Sequence, residues 1–215
     1  MVFEIDNVVL NFGEKNILKA VYLKAETGKI SGILGRNGTG KSCLLKIIFG
    51  QLKPKSKLFR IDKKPILENP YCSGKVKFLP QHHFIPKDFS IEKAFRLFHL
   101  NWADFCSIFE SFSKYREEKI GNLSGGERRL IETYLILTGS ADLILLDEPF
   151  SHIAPVYVQR LIGILQREKQ RKAIVVTDHL YREILAVSDD VYLLKEGETR
   201  LIRSEEDLRF QGYLA

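Results

Sequence analysis

Long apolar runs are what this sequence most lacks. No stretch approaches the roughly 18 to 20 consecutive apolar residues of a membrane-spanning helix. The longest, Leu143–Leu146 and the Leu44–Phe49 segment interrupted by Lys46, are the size of core elements. Residues 1–6 carry Glu4 and Asp6 where an export signal would place Lys or Arg ahead of an unbroken apolar stretch, so a cytoplasmic location is expected. Cysteine is scarce. Cys43, Cys72 and Cys106 are odd in number and show no CxxC spacing, which argues against a disulfide framework or a zinc site and for buried free thiols. Low-complexity tracts, solenoid-period repeats and Gly/Ser linkers are also missing.

What is present is ordinary globular composition: 215 residues, 45% hydrophobic and 28% charged, with 15 Gly and 7 Pro, which excludes collagen-like and disordered classes. The net charge of +6 would suit an anionic partner. However, the densest basic clusters, Lys53-Pro54-Lys55-Ser56-Lys57 and Lys63-Lys64, contain no aromatic side chain to stack on bases. They read as a solvated face, and no nucleic-acid partner is expected.

Residues 2–10 and 17–26 alternate partially and flank Asn11-Phe12-Gly13-Glu14, a β-hairpin pattern. Strand signals near 29–34, 57–61, 75–79, 142–147, 172–177 and 190–195 alternate with helical patterns near 41–49, 90–112, 124–138, 155–169 and 179–187. The alternation predicts a mostly parallel sheet covered by helices, with antiparallel strands at the front. Phe95, Phe98, Trp102, Phe105, Phe109 and Phe112 recur at steps of 3 and 4, which puts their rings on one side of a helix, or of two helices if Asn101 caps a second. Such a stripe faces its own core or forms a groove for a partner helix.

Three motifs carry chemistry. Gly35-Arg36-Asn37-Gly38-Thr39-Gly40-Lys41-Ser42 fits G-x-x-x-x-G-K-[ST] between a strand and a helix. Its glycines let backbone N–H groups wrap a phosphate at a helix N-terminus, Lys41 would bridge the β- and γ-phosphates, and Ser42 would offer its hydroxyl to Mg²⁺. Leu143–Leu146 reads as a strand buried on both faces, ending in Asp147 and Glu148 at the edge that faces the phosphate loop. Asp147 is placed to hold Mg²⁺, and Glu148 to orient and deprotonate an attacking water. Leu123-Ser124-Gly125-Gly126-Glu127 opens a helix as a capping box, but a cap needs no pair of glycines, whereas backbone approach to a phosphate does.

Together these residues resemble the ATP-binding cassette proteins, the nucleotide-hydrolysing subunits of ABC transporters, along nearly the whole chain. The resemblance implies an α/β fold: a P-loop NTPase (RecA-like) core with an antiparallel β subdomain and a small helical subdomain at about 84–138, in one ABC ATPase domain spanning 1–215. It implies ATP and Mg²⁺ as ligands, Phe12 as the ring that stacks on adenine, Gln81 as a residue at the Mg²⁺ site, and His179 as a contact of the γ-phosphate. It also implies a head-to-tail pair of cassettes, homo- or heterodimeric, in which Ser124, Gly125 and Gly126 complete the partner's ATP site. A separate integral membrane subunit would be the other partner, with this chain peripheral on the inner face of the membrane. One departure stands out: where the family carries an aspartate after Asp-Glu-Pro, this chain has Ala154. Gln81 to Ser124 is also short for the family. Soluble ABC ATPases acting on ribosomes or DNA resemble double cassettes or carry long coiled-coil insertions, which 215 residues do not fit. P-loop kinases and GTPases lack the Leu-Ser-Gly-Gly-Glu turn.

Overall fold

The alternating residues at the front of the chain form a long hairpin, β1 (Val2–Phe12) antiparallel to β2 (Lys15–Glu26). Gly13 turns it at φ 59°, a conformation that side chains resist. The computed structural model describes residues 1–214. A short apolar strand, β3 (Ile30–Leu34), then runs through the phosphate-loop motif into α1 (Lys41–Phe49). After β4 (Ser56–Ile61), β5 (Lys64–Pro65) and β6 (Val76–Leu79), the chain forms two short helices, α2 (Ile91–Leu97) and α3 (Trp102–Ile108). The rest alternates: α4 (Gly125–Thr138), β7 (Leu143–Asp147), α5 (Pro155–Glu168), β8 (Ala173–Thr177), α6 (Tyr181–Val187), β9 (Asp190–Lys195), β10 (Glu198–Ile202) and α7 (Glu205–Phe210).

Two sheets result. The larger has the order β10-β9-β3-β8-β7-β6, parallel except for the edge strand β10; the smaller, β2-β1-β4-β5, is antiparallel throughout. Strands β3, β7 and β8 are buried along their whole length, and side-chain alternation divides them between two cores. Ile144, Leu146, Ile174 and Val176 face a core shared with α4, α5 and α6. Leu143, Leu145, Ala173 and Val175 face a second, shared with α1 and the antiparallel strands.

The aromatic stripe resolves in favour of the core. Asn101 Oδ1 accepts from Ala103 N at 2.9 Å and starts a second helix, so the pattern is two helices and not one. Phe95, Phe105, Phe109 and Phe112 are buried, with Phe95, Phe105 and Phe109 packed around Tyr134 of α4. The cysteines differ from expectation: Cys72 is exposed, and Cys43 and Cys106 are half-buried beside core residues instead of within the core. β10 and α7 lie beyond the elements expected from the pattern.

Candidate functional site

The register of the large sheet sets Ile33 beside Thr177 and Thr177 beside Asp147, so β3, β7 and β8 end together. The loops leaving these three strands therefore meet at one edge, where doubly wound sheets bind ligands. A cleft of about 610 Å³ lies there. Asn37, Gly38, Gly40, Lys41 and Ser42 of the phosphate loop line it together with Gln81, Glu148 and His179, and Phe12, half exposed at the end of β1, lies at its rim.

The loop is shaped by its glycines. Gly38 (φ 79°) and Gly40 (φ 105°) occupy left-handed conformations, and a Cβ on Gly40 would press on Ile17 and Leu18 of β2 at about 3 Å. The first turn of α1 has no side-chain cap and no acidic residue, so its N–H groups and positive dipole end serve the loop. Lys41 is buried, and its Nζ donates to the Gly35 carbonyl at 2.7 Å. Burial holds its pKa below the usual lysine value, while Glu148, Asp147 and Asp178 pull it back up. Arg36 and Thr39 turn away from the cleft: Arg36 reaches the Gly212 carbonyl at 3.4 Å, and Thr39 bonds the Arg36 carbonyl at 2.9 Å. Gly35 contributes its backbone.

The acidic end of β7 divides its tasks. Asp147 is buried, accepting from Thr177 Oγ1 at 2.9 Å through Oδ1. Among the described residues, its Oδ2 has no hydrogen-bond partner. Burial raises its pKa above the ordinary carboxylate value, against the opposing pull of the Ser42 and Thr177 hydroxyls. Glu148 follows at φ 54°, a left-handed conformation costly for a residue with a side chain. It is held by Glu148 N donating to Thr177 O (2.8 Å) and by Arg129 donating to its carbonyl. Gln81 Nε2 donates to Glu148 Oε2 at 3.1 Å, and Ser151 Oγ reaches the same oxygen at 3.4 Å. His179 Nδ1 stands 3.2 Å from Asp178 Oδ1.

Two residues here were not singled out from the sequence. Arg129 is buried and donates to the carbonyls of Pro80 (2.6 Å), Asp147 and Glu148, binding the ends of β6 and β7 together. In the sequence, Arg128-Arg129 looks like any charged helix turn. Asp178, fully buried, accepts from Phe150 N (3.1 Å) and Leu180 N (3.0 Å), with its pKa raised by burial. Its place beside His179 was the available signal.

Ser124, Gly125 and Gly126 do not line this cleft. Ser124 and Gly125 are exposed at the start of α4, where Ser124 and Glu127 form the expected capping box. The two glycines part company: a Cβ on Gly126 would strike the His152 carbonyl, whereas one on Gly125 would meet nothing. Gly126 therefore has a packing reason within its own chain, and Gly125 has none.

Among the expected cation ligands, Asp147 offers a buried carboxylate and Ser42 a hydroxyl, while Gln81, in the same cleft, uses its Nε2 on Glu148 and keeps its amide oxygen. Among the described residues, no three His, Cys, Asp or Glu side chains gather as a metal cage. That set fits Mg²⁺ shared with phosphate oxygens, the usual arrangement for this ion.

The family model described as ABC transporter matches residues 18–151. A probable ABC transporter ATP-binding protein of Cyanophora paradoxa is 30% identical, over 90% of this chain and 85% of that protein. A manganese transport system ATP-binding protein of Listeria innocua is 26% identical, over 96% and 94%. Among solved structures, an ATP-binding subunit of an ABC transporter superposes with a TM-score of 0.84 at 18% identity, covering 99% of this chain and 94% of the other. A bacterial Atm1-family ABC exporter with ATP bound gives 0.84 at 20% identity, over 98% of this chain and 40% of that one. At such identities these structures show a shared fold.

Proposed function

Because the chain belongs to the ABC transporter family of ATP-binding proteins, we propose that two such cassettes close around ATP, split it, and drive a separate membrane subunit. The chain is an ATP-binding ATPase subunit of an ABC transporter. The observation that carries the reading of its site is the convergence of the phosphate loop with Gln81, Glu148 and His179 around one cleft.

In this reading the backbone of residues 35–42 wraps the phosphates, and the Lys41 ammonium leaves the Gly35 carbonyl to neutralise the β- and γ-phosphate oxygens. Glu148 accepts a proton from the attacking water, with Gln81 and Ser151 fixing its carboxylate. His179, oriented by Asp178, contacts the γ-phosphate. Asp147 and Ser42 would hold Mg²⁺, which supplies charge neutralisation on the phosphates. Phe12 stacks on the base. Ser124, Gly125 and Gly126, remote from their own chain's cleft, complete the partner's site, a placement supported by the open surface at Gly125. Loss of the γ-phosphate removes the contact that joins the halves, giving a two-state switch. Among the described residues, no helix is long and apolar enough to cross a membrane; the separate membrane subunit and the place on the inner face belong to the proposal. The single-domain organisation over 1–215, with the helices near 84–138 as an inserted subdomain, belongs to the same proposal.

Two variants test it. Glu148→Gln is expected to lose about 10²- to 10⁴-fold in hydrolysis while keeping ATP bound; normal turnover would refute the assignment. Lys41→Ala is expected to lose nucleotide affinity in a binding titration, and unchanged affinity would count against the phosphate-loop reading.

A further inference from the structure

Glu132, in the middle of α4, is fully buried and lies outside the site just described. Its Oε1 accepts from the backbone N–H groups of Phe84 (3.1 Å) and Ile85 (3.2 Å) and from Arg128 Nε (3.3 Å). Its Oε2 stands 2.8 Å from His83 Nδ1. Arg128, also buried, donates back to the Ile85 carbonyl. Apart from Arg128 on its own helix, every partner of this carboxylate lies in residues 83–85, a segment in neither strand nor helix. Such a segment has no ladder to satisfy its backbone groups, and Glu132 stands in for one.

The segment adjoins Gln81, whose amide holds Glu148 Oε2 at 3.1 Å. On the other side, Arg129 holds the Pro80 carbonyl at 2.6 Å. The path from Pro80 to Ile85 is thus pinned at both ends from α4, and Gln81, exposed between the pins beside His82, reaches across to the carboxylate. A buried ion pair is a poor way to gain stability, since apolar side chains of the same volume often do as well or better. What the carboxylate adds is hydrogen bonding to two loop N–H groups, which holds the loop in one path.

We propose that Glu132 is a positioning residue for ATP hydrolysis: by fixing residues 83–85 it sets the path in which Gln81 meets Glu148. The inference rests on Glu148 being the general base. Glu132 does not line the cleft; it acts through Gln81. The phosphate loop is anchored elsewhere, on β3 and α1, so ATP binding does not depend on Glu132.

The test is steady-state ATPase kinetics and ATP affinity of the full chain, for Glu132→Gln, Gln81→Ala and the double variant, beside Glu148→Gln. Glu132→Gln keeps the shape and one acceptor oxygen and loses the charge that holds Arg128. A kcat lowered about 10- to 100-fold is expected, the scale of a roughly 1 Å misplacement, with KM and ATP affinity within about twofold of wild type, as expected for a group that acts only on the chemical step. In the Gln81→Ala background the second substitution should cost nothing further, because both act through one contact. Losses that multiply, or an affinity that falls with kcat, would overturn the proposal. Should Glu132→Gln not fold, Arg128→Met with Glu132→Leu removes the pair as a unit and keeps the volume. A folded double variant with wild-type kcat overturns the proposal, and one with low kcat and intact affinity supports it. Glu148→Gln at full rate would remove the base assignment itself, an outcome read independently of the double-variant cycle.

Discussion

The carboxylates at the end of β7 show most sharply how function is written against stability. Asp147 sits buried with one oxygen that has no hydrogen-bond partner among the described residues, and burial raises its pKa. A raised pKa means the folded state holds the proton more tightly than the unfolded chain does. This residue's contribution to stability is therefore full below the unfolded value, near 4, and is lost as pH rises through the folded value. Asp147→Asn should accordingly raise the melting temperature of nucleotide-free protein at pH 8, with the gain shrinking as the pH approaches 4, while hydrolysis dependent on Mg²⁺ is lost. Equal or lower melting temperature at pH 8 would contradict this account of the site. That Lys41, Ser42, Asp147 and Glu148 meet at one sheet edge was legible because motif, strand and helix start coincide in sequence. Arg129 was not, since nothing in a helix turn of two arginines says which of them is buried among the carbonyls of Pro80, Asp147 and Glu148.

Among elements, the start of α4 separates two kinds of glycine. Gly126→Ala would drive a methyl group into the His152 carbonyl and should cost about 1 to 3 kcal/mol in denaturant unfolding, the range for overpacking. Gly125→Ala meets no atom, so it should leave the unfolding midpoint unchanged or raised, yet impair hydrolysis. A Gly125→Ala protein of full activity would show that nothing outside the chain approaches this helix end. Ala154 is the N-cap of α5 and offers no side-chain bond. Ala154→Asp should supply one worth about 1 kcal/mol, raising the melting temperature by about 2 to 4 °C for a chain of this size; an unchanged melting temperature would mean no cap forms. Buried elements were the readable ones: β3, β7 and β8 are short apolar runs because both faces are covered. β10 was not legible because an edge strand reading Glu-Thr-Arg-Leu-Ile has little periodicity, and α7 because six residues are too few to show one. The signals were there in local form, the Glu196-Gly197 turn with both residues at positive φ and the Ser204–Asp207 capping box.

At the scale of the whole molecule, the chain presents two features that the proposal reads as half-sites: the cleft lined by the phosphate loop, and the start of α4 outside that cleft. In the proposed head-to-tail pair, each chain would complete the other's site. Without the family's aspartate at position 154, coupling between paired sites is expected to be weak, and Ala154→Asp should raise the cooperativity of ATP hydrolysis. An unaltered Hill coefficient would leave the aspartate without a role in coupling here. The helix-covered parallel sheet with antiparallel strands at its front was legible in the alternation along the sequence; the strand order and the division into two cores were not, because periodicity does not say which strands pair. The paired state rests on the resemblance and on the exposed Ser124–Gly125 corner. Sedimentation velocity of Glu148→Gln tests that state most directly: with Mg²⁺ and ATP the protein should sediment as a dimer, and as a monomer when ATP is withheld or Ser124 is replaced by Arg. A monomer at saturating ATP would contradict it.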